Sequence, residues 1–269
     1  MPAKDNVFWV RRQKMADPCH YLDKWTDWYA QTVRRRGVQR VWPHAAQVSK
    51  TLDVGCGDGK VSEWMLNTFR TAVVGSDAYE YPGVRGRVNS FYKIDGENLQ
   101  DVFTGQRFDL VTCHTSLCCM KDWQATVRQI AQLTNRVLVV ENVQTPTPPW
   151  QKQWTQKTHL ELPVLLTGFS LSGFVPVAVQ PINWLDRGLM VQWPFRLPFL
   201  KPLGVLLTLL VDWFMVDVRK VEPERGRYAA ILFEKADQVR AGQVGEQIIQ
   251  GLQARLDGAP LTFVRRVGL

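Results

Sequence analysis

Asp53-Val54-Gly55-Cys56-Gly57-Asp58-Gly59 is the segment whose residue types and spacing point most directly to chemistry. Glycines at alternate positions let a backbone turn sharply and approach a ligand with no Cβ in the way. The apolar run Thr51-Leu52-Asp53-Val54 before the turn reads as a buried strand, and a helical pattern begins just after it. A helix that starts in such a turn presents unpaired N–H groups to whatever lies above it. This geometry suits a nucleotide-like cofactor at the carboxyl edge of a parallel sheet. Dinucleotide sites use G-x-G-x-x-G and receive a pyrophosphate at the helix start. Here the spacing is D-x-G-x-G-x-G, with an acid inside the strand.

Two more acids stand at the ends of apolar strands. Val73-Val74-Gly75-Ser76-Asp77 ends in a carboxylate 24 residues after Asp53, and Ile94-Asp95-Gly96-Glu97-Asn98-Leu99 follows a third strand. Alone, each reads as a turn residue or helix cap; three in register at strand ends are hard to assign to caps alone. The string Asp53 to Gly59 resembles the first motif of class I S-adenosylmethionine-dependent methyltransferases, and Asp95 to Leu99 resembles that family's D-A-E-x-L segment. The resemblance is greatest to the small-molecule and lipid methyltransferases, including those of quinone and sterol pathways. It runs from about Thr51 to Asn142, with Gly173-Phe174 and Ala229–Glu234 similar to the final antiparallel pair.

The resemblance implies S-adenosyl-L-methionine as cofactor and a set of cofactor-binding residues: Asp53, Gly55, Cys56, Gly57, Gly59, Asp77, Ala78, Asp95, Gly96 and His114. Asp53 would accept the methionine amino group, directly or through water, and Asp77 the ribose hydroxyls. Asp95 would accept the adenine amino group, with the Gly96 backbone at the ring edge. Many members of the group carry a histidine where Cys119 stands, so that substrate-side feature is absent here.

These residues need a scaffold, and the pattern supplies one. Thr51–Val54, Ala72–Gly75, Phe91–Ile94, Phe108–Cys113 and Val137–Val140 read as strands. Between them lie helical patterns such as Val61/Trp64/Met65/Phe69 and Trp123/Val127/Ile130. Strands alternating with helices imply right-handed crossovers and a parallel sheet covered on both faces. Two further strands are expected at Gly173–Val179 and Tyr228–Phe233. The expected fold is therefore a Rossmann-like, doubly wound α/β sheet. Seven strands, mostly parallel with an antiparallel last strand, follow from the family.

Outside this rhythm, Asp17-Pro18 opens a helix with Tyr21, Trp25, Trp28, Tyr29 and Val33 on one face, stopped by Gly37. Residues 1–46 form an N-terminal helical segment that packs on the sheet or closes as a lid. The remaining 47–269 form the methyltransferase domain. A stiff linker is expected at Thr145–Pro149, a helix from Trp150 to Leu166, and a tail helix with Val244, Ile248, Leu252 and Leu256 at helical spacing. Residues 181–226 are an insertion rich in Trp, Pro and Leu. Its apolar run, Leu203–Val211, falls well short of the ~20 residues that span a bilayer. It reads as a buried helix, a hydrophobic substrate lid or an interfacial anchor.

His114, at the end of the fourth strand, is the first candidate for a general base or acceptor-positioning group; a loop-structural role is the competing reading. His20, Tyr21 and His159 are weaker candidates. Methyl transfer is in-line displacement at an activated sulfonium, so a base is needed only where the acceptor must lose a proton. His114-Thr115-Ser116 replaces the Asn/Asp-Pro-Pro-aromatic segment of adenine and glutamine N-methyltransferases. Pro18-Cys19 precedes the sheet, away from where a cytosine C5 nucleophile belongs.

The chain is 45% hydrophobic over 269 residues, which excludes wholesale disorder. Five cysteines form no Cys-x-x-Cys pair, the histidines show no metal spacing, and Met1–Lys14 is charged with no apolar run. A reducing, cytoplasmic setting and no metal are expected. The net charge of +8 favours anionic partners. Arg34-Arg35-Arg36, the one tight cluster, reads as a solvated helix end. The apolar insertion favours a small-molecule or lipid-like acceptor, with peripheral membrane contact open. RNA or other nucleic acid stands second, since no aromatic-and-basic recognition module is appended. A non-catalytic binding protein on the same fold stands third. Nothing in the sequence fixes an oligomeric state.

Overall fold

The computed structural model describes residues 24–42, 48–143, 160–183, 197, 199–220 and 228–235. The elements expected at His20 and Tyr21, Thr145–Pro149, His159 and the tail helix lie outside these residues, as does much of the insertion.

In chain order the elements are α1 (Lys24–Val41), β1 (Lys50–Val54), α2 (Lys60–Phe69), β2 (Ala72–Asp77), β3 (Ser90–Lys93), α3 (Leu99–Phe103), β4 (Leu110–His114), α4 (Trp123–Leu133), β5 (Arg136–Asn142), α5 (Leu162–Ser170), β6 (Phe174–Asn183), α6 (Lys201–Trp213) and β7 (Tyr228–Lys235). The strands form one seven-stranded sheet in the order β3-β2-β1-β4-β5-β7-β6. Strands β1 to β5 pair in parallel, and β7 is inserted antiparallel between β5 and β6. This is the fold expected from the sequence. The order reverses between β1 and β4, and ligands of open α/β sheets bind outside the strand ends at such a switch point.

Side chains of β5 alternate between two cores. Val137 and Val139 join the layer with α3, α4 and α5, whereas Leu138 and Val140 join the layer with α1, α2 and α6. Burial on both faces explains why the central strands read as continuous apolar runs. Edge strand β6 carries Pro176 and Pro181, each beside a register shift against β7. Proline removes a ladder donor and is tolerated where one side of the strand is unpaired.

Two helix boundaries and the burial of a third helix are set by contacts that the sequence reading did not resolve. Helix α1 runs through Gly37 to Val41. A Cβ at Gly37 would lie 2.6 Å from Ile182 Cδ1, so this glycine lets the helix approach β6. Burial of Tyr29, Val33, Val38 and Val41 outweighs the roughly 1 kcal/mol helix penalty of one glycine. Helix α5 begins at Leu162, because Pro163 lacks an N–H and fits only the first turn. Finally, α6 is not a buried helix. It buries Gly204, Val205, Thr208 and Asp212, while Leu206 and Leu210 stay 58% and 56% exposed.

Helix α1 is joined to the body by polar contacts that the sequence did not disclose. The Tyr29 hydroxyl donates to Asp212 Oδ2 of α6 at 2.6 Å, and Arg40 pairs with Asp217 just beyond it. Trp42 stacks on Phe69 of α2 at 3.8 Å between ring centroids. Gly37→Val should therefore overpack the α1–β6 contact and lower stability by about 1–3 kcal/mol. A thermal melt checks this; an unchanged midpoint would mean that α1 does not dock on β6 as described.

Candidate functional site

The first functional element is the turn from β1 to α2. Gly55, Gly57 and Gly59 all have positive φ, at 72°, 58° and 78°. Gly55 N–H and Cys56 N–H both donate to Ser76 O of β2, at 2.7 and 3.1 Å, so the turn is stapled to the neighbouring strand. The glycines differ in what surrounds them. A Cβ on Gly55 would stand 2.4 Å from Ser116 Cβ, whereas one on Gly57 would meet nothing within 4 Å. Gly55 is therefore dictated by packing, and Gly57 opens onto free space.

Asp77 ends β2 beside that opening. Its Oδ2 accepts Gly57 N–H at 2.9 Å and its Oδ1 accepts Tyr79 N–H at 3.0 Å. An ionised carboxylate has about four lone-pair sites, so acceptor capacity remains. Burial pushes its pKa above the usual carboxylate value, and the two backbone donors only partly oppose this. Ala78 follows, half-buried.

Asp53 lies deeper. It is 1% exposed, and Ser62 and Thr112 donate their hydroxyls to its two oxygens, Thr112 at 3.0 Å. His114 Nε2 stands 4.0 Å from Asp53 Oδ1. Both ring nitrogens of His114 are buried and lack a hydrogen-bond partner. Burial lowers the His114 pKa; Asp53 opposes this and Arg34 adds to it. The imidazole is therefore neutral near pH 7.

Cys56 is a thiol, not a nucleophile: burial, with Asp53 and Asp77 nearby, pushes its pKa far up. Asp95 is exposed, at the start of a short 3-10 turn, Gly96–Asn98. Gly96 is closely covered, because a Cβ there would lie 3.0 Å from Met120 Sδ and Thr126 Cγ2. The register aligns the strand ends: Asp53 pairs with Gly75 and Thr112, and Asp77 pairs with Lys93. Asp53, Asp77, Asp95 and His114 thus share the carboxyl edge of β1, β2, β3 and β4.

Arg34, Thr115, Glu141, Ser62 and Thr112 were missed in the sequence. Arg34 is not a solvated helix end. It is half-buried, and its Nη2 donates to Thr115 Oγ1 at 3.2 Å, beside His114. Thr115 has φ of 54°, a conformation unusual for a branched residue. Glu141, at the end of β5, is wholly buried and accepts Cys118 N–H at 3.3 Å, which holds the loop after β4. Ser62 and Thr112 fix Asp53. An arginine run does not show which member turns inward; the i, i+4 spacing of buried Tyr29 and Val33 beside Arg34 was the available signal.

Among the described residues no cluster of His, Cys, Asp and Glu could hold a metal ion, and no helix is long and apolar enough to cross a membrane.

No curated protein matches the chain in sequence. Solved structures match its fold. A 1,6-didemethyltoxoflavin-N1-methyltransferase of Burkholderia thailandensis, with 1,6-didemethyltoxoflavin and S-adenosylhomocysteine bound, has TM-score 0.55 and 16% identity over 88% of this chain and 92% of that one. A SAM-dependent methyltransferase of Thermotoga maritima has TM-score 0.54 and 15% identity, covering 77% and 90%. The O-methyltransferase of a trans-AT PKS multienzyme of Brevibacillus brevis has TM-score 0.54 and 13% identity, covering 83% and 78%. At such identities the likeness establishes the fold alone. A family profile described as a methyltransferase domain goes further and matches residues 27–172, from α1 to α5. That span is more than half of the chain and contains the glycine turn, all three strand-end acids, His114 and Arg34, so the chain belongs to the methyltransferase-domain family.

Proposed function

We propose that this protein transfers a methyl group from S-adenosylmethionine to a small-molecule or lipid-like acceptor, with His114 facing the reaction. The observation that carries the reading is a set of unused polar groups at one sheet edge. His114 has two unpartnered buried nitrogens, Asp77 has spare lone pairs, and the space above Gly57 is open. S-adenosylmethionine fits these residues, and when bound it supplies a methyl group on a sulfonium already activated as a leaving group.

Asp77 accepts the ribose hydroxyls. Asp95 would accept the adenine amino group, and the Gly96 backbone, closely covered by Met120, would meet the ring edge. Gly57 offers room for close backbone approach. Asp53, whose oxygens accept from Ser62 and Thr112, would act on the methionine amino group through a water rather than directly. Catalysis rests mainly on positioning. Where the acceptor must lose a proton, neutral His114 takes it. The apolar residues of the insertion and the exposed positions of α1 support an acceptor with apolar surface.

His114→Ala should lower turnover by about 10²–10⁴-fold, the range of a lost general base, and leave cofactor affinity nearly unchanged. The pH dependence follows from the lowered pKa. The basic form predominates at pH 7, so wild-type turnover should hold there and fall as acid is added through that pKa. The variant should lose this acidic limb. Full turnover in His114→Ala would return the residue to a structural role.

The test of the reading is a labelled methyl-donor assay against cell extract divided into lipid, RNA, protein and small-molecule pools. Label is expected in the lipid or small-molecule pool. Label in RNA would replace the acceptor class, and no label in any pool would favour a binding protein without transfer.

A further inference from the structure

We propose that α6 and the turn after it dock on the surface of an anionic lipid bilayer. Leu203, Leu206, Leu210, Trp213, Phe214 and Val218 are each 46–58% exposed. Their spacing of three, four, three, one and four residues keeps them along one side of a helix. The helical path continues past α6 through a π-turn at Phe214–Val218, which prolongs that side. Single exposed apolar residues are ordinary, but a continuous stripe with two aromatic rings is not.

The charges are sorted as well. The only acids from Lys201 to Val218 are Asp212 and Asp217. Asp212 is 1% exposed and accepts the Tyr29 hydroxyl, while Asp217 pairs with Arg40. Both are turned to α1. Lys201 begins the helix, and Arg219 and Lys220 follow it, both exposed. Among the described residues the outer side is thus apolar, with Arg219 and Lys220 exposed at its end and no exposed carboxylate. That combination suits insertion of the apolar side chains at the headgroup boundary, with the cations on lipid phosphates. At 13 residues, α6 is far too short to span.

Charge disfavours two other occupants. A second copy would bring the same cations together with no acid to meet them. The segment 236–269 is near charge balance, with Arg240, Arg255, Arg265 and Arg266 against Asp237, Glu246 and Asp257, so it offers no net acidic complement.

The test uses the full chain in flotation with vesicles of phosphatidylglycerol and phosphatidylcholine, and with phosphatidylcholine alone, at low and high salt. The chain should float with the anionic vesicles at low salt and be released by high salt. Leu206→Glu/Leu210→Glu should weaken binding about tenfold or more, as should Arg219→Glu/Lys220→Glu at about 1 kcal/mol per cation lost. All four positions are exposed, so both variants should keep the wild-type melting point; were the first to unfold, the second still decides. No flotation of the wild type, or equal flotation of both folded variants, would overturn the proposal. Lipid-free light scattering that shows a dimer lost in Leu206→Glu/Leu210→Glu would overturn it in favour of a second copy. Label transfer in solution is read separately, so failure here leaves the proposed reaction standing.

Discussion

Gly57→Val is expected to abolish binding of S-adenosylhomocysteine while leaving the protein folded. The free space above Gly57 receives the new side chain, with no protein atom within 4 Å of its Cβ. Strain comes from the backbone, since φ of 58° disfavours a branched residue, at a cost of about 1–3 kcal/mol. In the proposed reading the same free space is where the cofactor approaches the turn. Affinity should fall by more than ~100-fold, equal to about 2.7 kcal/mol. Gly55→Ala supplies the contrast. Its Cβ would meet Ser116 Cβ at 2.4 Å, so this smaller substitution should cost stability first and affinity only as a consequence. Calorimetry and thermal melts on both variants separate the two effects. Normal affinity in Gly57→Val would show that the cofactor does not lie over this turn.

Asp77 should give the second large effect, and its two variants should diverge. Asp77→Ala removes a charged acceptor, worth roughly 1.5–3 kcal/mol or about 10–150-fold in affinity. It also releases Gly57 N–H and Tyr79 N–H. Asp77→Asn keeps an acceptor for one of these donors but loses the charge. The Asp77 pKa is raised in the fold, chiefly by burial. A raised acid contributes stability below its unfolded pKa that is lost as pH rises through the folded value. At pH above that folded value the ionised carboxylate is therefore a cost to the empty protein. Asp77→Asn should keep or raise the melting point there, yet weaken cofactor binding. Unchanged affinity in Asp77→Ala would contradict the assignment of this strand end to the ribose.

Much of the site was legible because its signals are local. The D-x-G-x-G-x-G turn, the strand-end acids and His114 each follow an apolar run, and parallel pairing carries them to one edge. What was not legible depends on contacts between distant parts of the chain. Gly37 looks like a helix stop until Ile182 is seen against it. Arg34 looks like one of three solvated arginines until the loop after β4 is folded beneath it. Asp53 shows no partner in the sequence until Ser62 and Thr112 are seen donating to its two oxygens. The apolar run at Leu203–Val211 reads as core helix, substrate lid or surface anchor alike, because composition does not show that Gly204, Val205 and Thr208 are buried while Leu203, Leu206 and Leu210 are exposed.

Calorimetric titration of the wild-type protein with S-adenosylhomocysteine, and in parallel with NADH, tests the central claim most directly. S-adenosylhomocysteine should bind with Kd on the order of 1–100 μM, and NADH should give no heat. NADH binding with no response to S-adenosylhomocysteine would contradict it.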